Sequence, residues 1–222
     1  GIGLATAELL AQRGATVACL DLDPSAVAPP LLAVHADVSA DNSAATAVAT
    51  AVDRLGGLDI LVNNAGILAR GTVLETELDE WRRVFETNVF GMVRVTRAAL
   101  PALRASGHAA IVNTCSLGAV VGLPCAAAYS SSKGAVYTLT LALAADHLRE
   151  GVRVNCVIPA PVDTPWIRRV AAGAPDPEAV VAAAAARQPN GRLVTPQEVA
   201  AAICYLASPL AGAVTGTSVT LD

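Results

Sequence analysis

Lysine is almost missing from this sequence: of its fifteen basic residues, Lys133 alone is a lysine and the rest are arginines. Charge of either sign is scarce, with Asp, Glu, Lys and Arg together at 15% against about 25% in an average soluble domain. That shortage, with 54% hydrophobic residues, excludes a disordered chain, because apolar burial on this scale can outweigh the entropy of ordering the backbone. A net charge of −4 and the lack of any Lys/Arg-rich run leave no electrostatic footprint for nucleic acid or for a membrane-surface helix. Paired cysteines are lacking too. Cys19, Cys115, Cys125, Cys156 and Cys204 are odd in number and include no C-x-x-C, which argues against a disulfide framework and the common zinc motifs and points to a reducing cytoplasm. The longest uncharged run, the 24 residues from Ala109 to Ser132, has a membrane span's length. Gly118, Gly122, Pro124 and Asn113 interrupt it and no aromatic belt flanks it, so it is not read as one. No signal peptide is expected either.

What is present is alternation. Short β-branched runs at Thr16–Asp21, Leu31–Val38, Asp59–Asn63, Ala110–Thr114, Val152–Ile158 and Ser218–Leu221 are separated by helical stretches. These lie near Leu4–Arg13, Ser43–Leu55, Leu78–Arg104, Ala128–Arg149 and Pro196–Ala207, and an Ala-rich helical segment, Pro177–Gln188, lies between the last two strands. The strands are apolar throughout, as expected when helices cover both faces of a parallel sheet. The pattern predicts a doubly wound parallel sheet in three α/β/α layers, in one domain, since no linker or repeat divides the 222 residues. Asp21, Asp37, Asn63-Asn64, Ser116 and Pro159 all close strands. In open parallel sheets ligands bind beyond the strands' carboxyl ends.

Three features on that edge carry chemistry. Gly1-Ile2-Gly3 opens into a helix, where bare backbone N–H groups can meet a pyrophosphate. Asp21 ends the next strand, where an acid can accept hydrogen bonds from an adenosine ribose; the competing reading is that Asp21 or Asp23 caps the following turn. Leu22 stands where a reader of a 2′-phosphate would place arginine, which favours NAD over NADP. The strongest constellation is Ser116, Tyr129 and Lys133. Tyr129 and Lys133 are i and i+4 and share a helix face. A cation there is expected to lower the phenol's pKa and make Tyr129 a usable base, while Ser116 bonds the same substrate oxygen. The only lysine in the chain occupies the position that needs a compact ammonium on a flexible stem.

These residues resemble the short-chain dehydrogenase/reductase family, classical type, across essentially the whole chain. Gly1-Ile2-Gly3 is similar to the end of the family's T-G-x-x-x-G-x-G turn, Asn63-Asn64-Ala65-Gly66 to its N-N-A-G signature, and Asn88, Ser116, Tyr129 and Lys133 have its catalytic order and spacing. The resemblance implies a Rossmann fold and a catalytic Asn88 that holds a water in a proton relay with Lys133. It implies a cofactor contacted by Asp37 and Val38 at the adenine and by Asn64, Ala65 and Gly66. Tyr129, Lys133, Pro159, Val162 and Thr164 are implied around the nicotinamide and its ribose. It also implies that the first strand and first motif glycine are missing from this sequence, and that the long helices pack in a homotetramer or homodimer.

Pro159-Ala160-Pro161 departs from the family's usual Pro-Gly. The stretch from Val162 to Gly191 is similar to a subgroup that includes type 2 3-hydroxybutyrate and deoxy-sugar-acid dehydrogenases, which implies Arg187 on a substrate carboxylate; the bland alternative is that Arg187 and Arg192 are surface arginines. The expected function is thus NAD-dependent interconversion of a secondary alcohol and a ketone, on a small hydroxy acid, sugar acid or polyol. NADPH-dependent carbonyl or 3-oxoacyl reduction is the nearest alternative, and a non-catalytic dinucleotide sensor the alternative of another class. Ser130-Ser131-Ser132-Lys133 also matches S-x-x-K, but a penicillin-recognising hydrolase needs a second lysine that the chain does not have. The three histidines have no ligand spacing, so no metal is expected, and Trp81 with Phe85 reads as packing.

Overall fold

The computed structural model describes residues 1–222. Its strands are β1 (Ala18–Asp21), β2 (Leu32–His35), β3 (Ile60–Asn63), β4 (Ala110–Thr114), β5 (Arg153–Pro159) and β6 (Ser218–Leu221). Its α-helices are α1 (Ile2–Gln12), α2 (Asp41–Leu55), α3 (Leu78–Phe85), α4 (Gly91–Ala105), α5 (Ala127–His147), α6 (Pro165–Ala171), α7 (Pro177–Ala186) and α8 (Pro196–Ala207). Every strand pair is parallel, β1 with β2, and β3, β4, β5 and β6 in that order. The pairing is therefore interrupted between β1 and β3, whose edges line one large cavity of about 2240 Å³. The expected doubly wound sheet is present in these two parts.

Side-chain alternation along the central strands makes the layers. Ile111 and Val154 pack with Val95, Ala99 and Leu103 of α4 and with Ala44 and Val48 of α2. Val112 and Val157 face the other way, onto Val199, Ile203 and Leu206 of α8. Each such fully buried side chain is worth about 1.5–3 kcal/mol of transfer free energy, which explains why β4 is buried at every position. A polar chain crosses the first face: Asn63 Nδ2 donates to Asn113 Oδ1 at 2.9 Å and to Thr96 Oγ1 at 3.1 Å, and Asn113 Nδ2 donates to Thr140 Oγ1 at 2.9 Å. Asn63 and Asn113 are register partners, so the chain ties β3 and β4 to the helices above them.

Three elements differ from the sequence expectation. The stretch Leu78–Arg104 is not one helix; a π-helical turn, Glu86–Phe90, separates α3 from α4. The widened turn carries Asn88, whose side chain bonds a loop outside the helix, and π-turns of this kind concentrate at functional positions. The strand expected to run to Val38 stops at His35, because the Asp37 N–H turns to Ser43 Oγ at 2.8 Å and leaves the ladder. The proline-rich junction after β5 contains a helix, α6, opened by Pro165 at its first turn, where a missing N–H costs nothing. No helix is long and apolar enough to cross a membrane.

Candidate active site

Because all strands run parallel, their carboxyl ends meet on one edge, and the cavity there is lined by Gly1, Asp21, Asn64, Ser116, Tyr129 and Thr164 together. Two close approaches fix the glycine turn. A Cβ on Gly3 would lie 2.9 Å from Asn64 Nδ2, and one on Gly1 would meet the Thr164 methyl at 3.8 Å. The start of α1, the Asn63–Gly66 segment and the loop after β5 therefore converge. The first turn of α1 has no side-chain cap and no acidic residue, so its leading N–H groups are free and its positive dipole end faces the cavity. That cradle fits the pyrophosphate of a dinucleotide.

Lys133 is 4% exposed, and its Nζ donates to the Thr114 carbonyl at 2.9 Å. It stands 5.9 Å from the Tyr129 ring centroid. A Cβ on Gly66 would come within 3.4 Å of Lys133 Nζ and 3.3 Å of Asn88 Oδ1, so the absence of a side chain there keeps the space between the two open. Ser116 Oγ accepts the Gly118 N–H at 3.2 Å, which leaves its own proton available for donation into the cavity. Asn88 is fully buried. Its Oδ1 accepts the Ile67 N–H at 2.8 Å, and its Nδ2 donates to the Ile67 carbonyl and to Ser132 Oγ, both at 2.9 Å. Ser132 Oγ donates in turn to the Tyr129 carbonyl at 2.7 Å. Asn88 thus clamps the loop after β3 onto the helix that carries Tyr129 and Lys133.

The electrostatics differ from the sequence expectation. Burial pushes the Tyr129 phenol above its ordinary value, with a hydrogen bond from Ser116 opposing and Cys115 adding to the rise. Desolvation pulls Lys133 down to about 8. Burial outweighs the attraction expected between Tyr129 and Lys133, because the ammonium points to the Thr114 carbonyl. Cys115 is itself lowered to about 7, chiefly through Cys156, with burial opposing.

The enoyl-(acyl carrier protein) reductase family model matches residues 1–222. The chain is 40% identical to cis-4-hydroxycyclohexanecarboxylate dehydrogenase of Sinomonas cyclohexanicum over all of this chain and 91% of the relative. It is 38% identical to inactive 2-(S)-hydroxypropyl-CoM dehydrogenase 2 of Xanthobacter autotrophicus, over 95% of each. The chain belongs to the short-chain dehydrogenase/reductase family. A solved structure of the ligand-free aldohexose dehydrogenase of Thermoplasma acidophilum superposes with a TM-score of 0.94 at 33% identity, over 100% of this chain and 88% of that one. As a short-chain dehydrogenase/reductase, the protein is an oxidoreductase of the CH–OH class that works with a nicotinamide cofactor.

The residues expected at the cofactor all line this cavity, under different local constraints. Asp21 Oδ1 accepts the Asp23 N–H at 3.0 Å, so the turn-capping reading is realised, and Asp21 lines the cavity as well. Asp37 is held low by the Ser39 hydroxyl and N–H. Val38 presses on α4, since a Cβ on Gly91 would come 2.9 Å from its Cγ2. Pro159 ends β5 opposite Leu221. Val162 bridges to Val194, and Thr164 Oγ1 donates weakly to the Val162 carbonyl at 3.4 Å. Ala65, Gly66 and Ile2 line the same space. Arg187 caps α7 at the exposed rim and has no hydrogen-bond partner. Sequence reasoning missed Trp166, whose ring lies 6.4 Å from that of Tyr129; with α6 unrecognised, nothing in the sequence pointed it at the site.

Proposed function

We propose that this protein is an NAD-dependent dehydrogenase that oxidises a secondary alcohol on a small hydroxy acid, sugar acid or polyol to the ketone, and runs the reverse reduction. The observation that carries the reading is the single cavity bounded by the free N-terminal turn of α1 at one side and by Ser116, Tyr129 and buried Lys133 at the other. When bound, the oxidised nicotinamide dinucleotide supplies the hydride acceptor and a formal positive charge. Gly1 and Gly3 leave backbone N–H groups that would hold its pyrophosphate, Asp37 and Val38 would hold the adenine, Val162 and Thr164 the carboxamide, and Lys133 the nicotinamide ribose.

Tyr129 takes the alcohol proton at its phenolic oxygen as the carbinol carbon gives up hydride. Ser116 donates its free proton to the substrate oxygen and keeps that oxygen beside the phenol. Lys133, whose pKa of about 8 lets it exchange a proton near neutrality, would take the proton from Tyr129 and give it to a water in the space that Gly66 keeps open between Lys133 and Asn88. The Asn88 amide is committed to Ile67 and Ser132, so its side chain positions the helix carrying Tyr129.

NAD is favoured over NADP because Asp21 and Asp23 flank Leu22, which is 64% exposed, and two carboxylates repel a 2′-phosphate. The inactive relative keeps a non-catalytic dinucleotide sensor as the second reading. Exposed Phe90 in the π-turn, Leu141 on α5 and Leu148 just beyond its end support a homotetramer or homodimer, and five free cysteines suit the cytoplasm. The test is absorbance of reduced cofactor with NAD and with NADP across hydroxy acids, sugar acids and polyols. A marked preference for NAD with at least one secondary alcohol is expected; a preference for NADP, or binding without turnover on the whole panel, contradicts the proposal.

A further inference from the structure

Three consecutive residues at the end of β4 meet the catalytic helix α5 one after another. The Thr114 carbonyl takes the Lys133 ammonium at 2.9 Å. The Cys115 thiol turns to the other end of the same lysine, its Sγ donating to the Lys133 carbonyl at 3.2 Å. Ser116 hydrogen-bonds the Tyr129 phenol. Lys133 is thus gripped at its side chain and at its main chain by neighbouring residues of one strand, and the proton path described above makes no use of the main-chain contact.

Cys115 is a fixed post. Its N–H donates to the Val157 carbonyl at 2.9 Å, one step beyond the last register pair, Thr114 with Val157, so its backbone is still tied to β5, whereas Ser116 already leads into the tight turn Leu117–Ala119. The thiol is 3% exposed, and Met92, Val136, Cys156 and Ile158 close around it. Val136 lies three residues after Lys133 on the same face of α5, so strand and helix stay in contact below the bond. An S–H group is a weak donor. It acts here where displacement is expensive, since about 1 Å of misplacement beside reacting groups can cost about 10²-fold in rate. We infer that Cys115 is a positioning residue whose thiol fastens the main chain of Lys133 to the sheet, so that the ammonium and, one turn earlier, the Tyr129 phenol keep their places relative to Ser116.

Because Lys133 is the only lysine, protein grown on lysine labelled with carbon-13 at the carbonyl and at Cε gives one NMR signal for each end of this residue. Wild type is compared with Cys115→Ser, Cys115→Ala and Cys115→Val. Serine and alanine are similar in size and both smaller than cysteine, but only serine keeps a donor; valine is a second donor-free variant that fills the space. The carbonyl signal is expected to stay near its wild-type position in Cys115→Ser and to move upfield in the donor-free variants, where the Cε signal should move as well. Only the kinetic arm depends on the dehydrogenase reading. In the donor-free variants kcat with an alcohol substrate should fall by about tenfold while its KM stays within about twofold, and Cys115→Ser should recover kcat to within about threefold of wild type.

A carbonyl signal indifferent to loss of the donor overturns the inference. So does a carbonyl signal that moves while the Cε signal does not, because the ammonium is then placed without the thiol. Equal loss of kcat in Cys115→Ser and Cys115→Ala overturns it too, by reducing Cys115 to packing volume. Wild-type protein that oxidises no alcohol defeats the dehydrogenase reading alone, and the two carbon signals still decide what Cys115 does to Lys133.

Discussion

Replacing Lys133 with methionine should stabilise the fold while removing activity. Burial pulls the ammonium down from 10.5 to about 8, so keeping it charged at neutral pH costs about 3 kcal/mol. Methionine fills similar volume without charge, but it leaves the Thr114 carbonyl without its 2.9 Å donor, a loss of about 1 kcal/mol. The variant should therefore be about 2 kcal/mol more stable at pH 7, or about 4–8 °C in Tm for a chain of this size. The sign follows from linkage. The native value lies below the unfolded one, so the unfolded chain binds more protons between about pH 8 and pH 10.5, and wild-type stability gains on the variant across that window. Urea unfolding of both proteins at pH 7 and pH 10, followed by circular dichroism, measures the gap. A variant less stable than wild type at pH 7, or a gap that does not narrow as the pH rises, refutes the claim that Lys133 is a charge held in place against its own desolvation.

Other perturbations probe the scaffold and the cofactor side. Asn113→Leu removes the centre of the polar chain between β3, β4 and α5 and should cost about 2–4 kcal/mol, read as a lower urea midpoint; a neutral result would show the chain to be dispensable. Gly91→Ala forces a methyl to within 2.9 Å of the Val38 side chain and 3.1 Å of its carbonyl. It should destabilise by about 1–3 kcal/mol and weaken NADH binding, and unchanged calorimetric affinity would detach Val38 from the cofactor. Leu22→Arg, beside Asp21, should raise kcat/KM with NADP relative to NAD, and no change in that ratio would mean that the turn after β1 does not read the ribose.

The sequence exposed those parts of the site that depend on short-range spacing. Tyr129 and Lys133 share a face because they lie four apart on one helix, and the parallel alternation of strands and helices was enough to put Asp21, Asn64 and Ser116 on one edge. What escaped depends on tertiary contact. The π-turn at Asn88 exists because its amide reaches Ile67, twenty-one residues earlier, and no local periodicity records that. The Tyr129 phenol moves opposite to expectation because the pair is buried, and helical spacing carries no information about desolvation. Trp166 went unnoticed because a run of prolines reads as a junction, whereas Pro165 here starts a helix.

The catalytic assignment meets its most direct test in Tyr129→Phe, which removes one oxygen and leaves the ring against Trp166. Formation of NADH from an alcohol substrate should fall by about 10²–10⁴-fold, the usual worth of a positioned general base, while NADH binding by the same protein stays within about twofold. Turnover close to that of the wild type would contradict the assignment of Tyr129 as the base, and with it the account of how this cavity moves a proton.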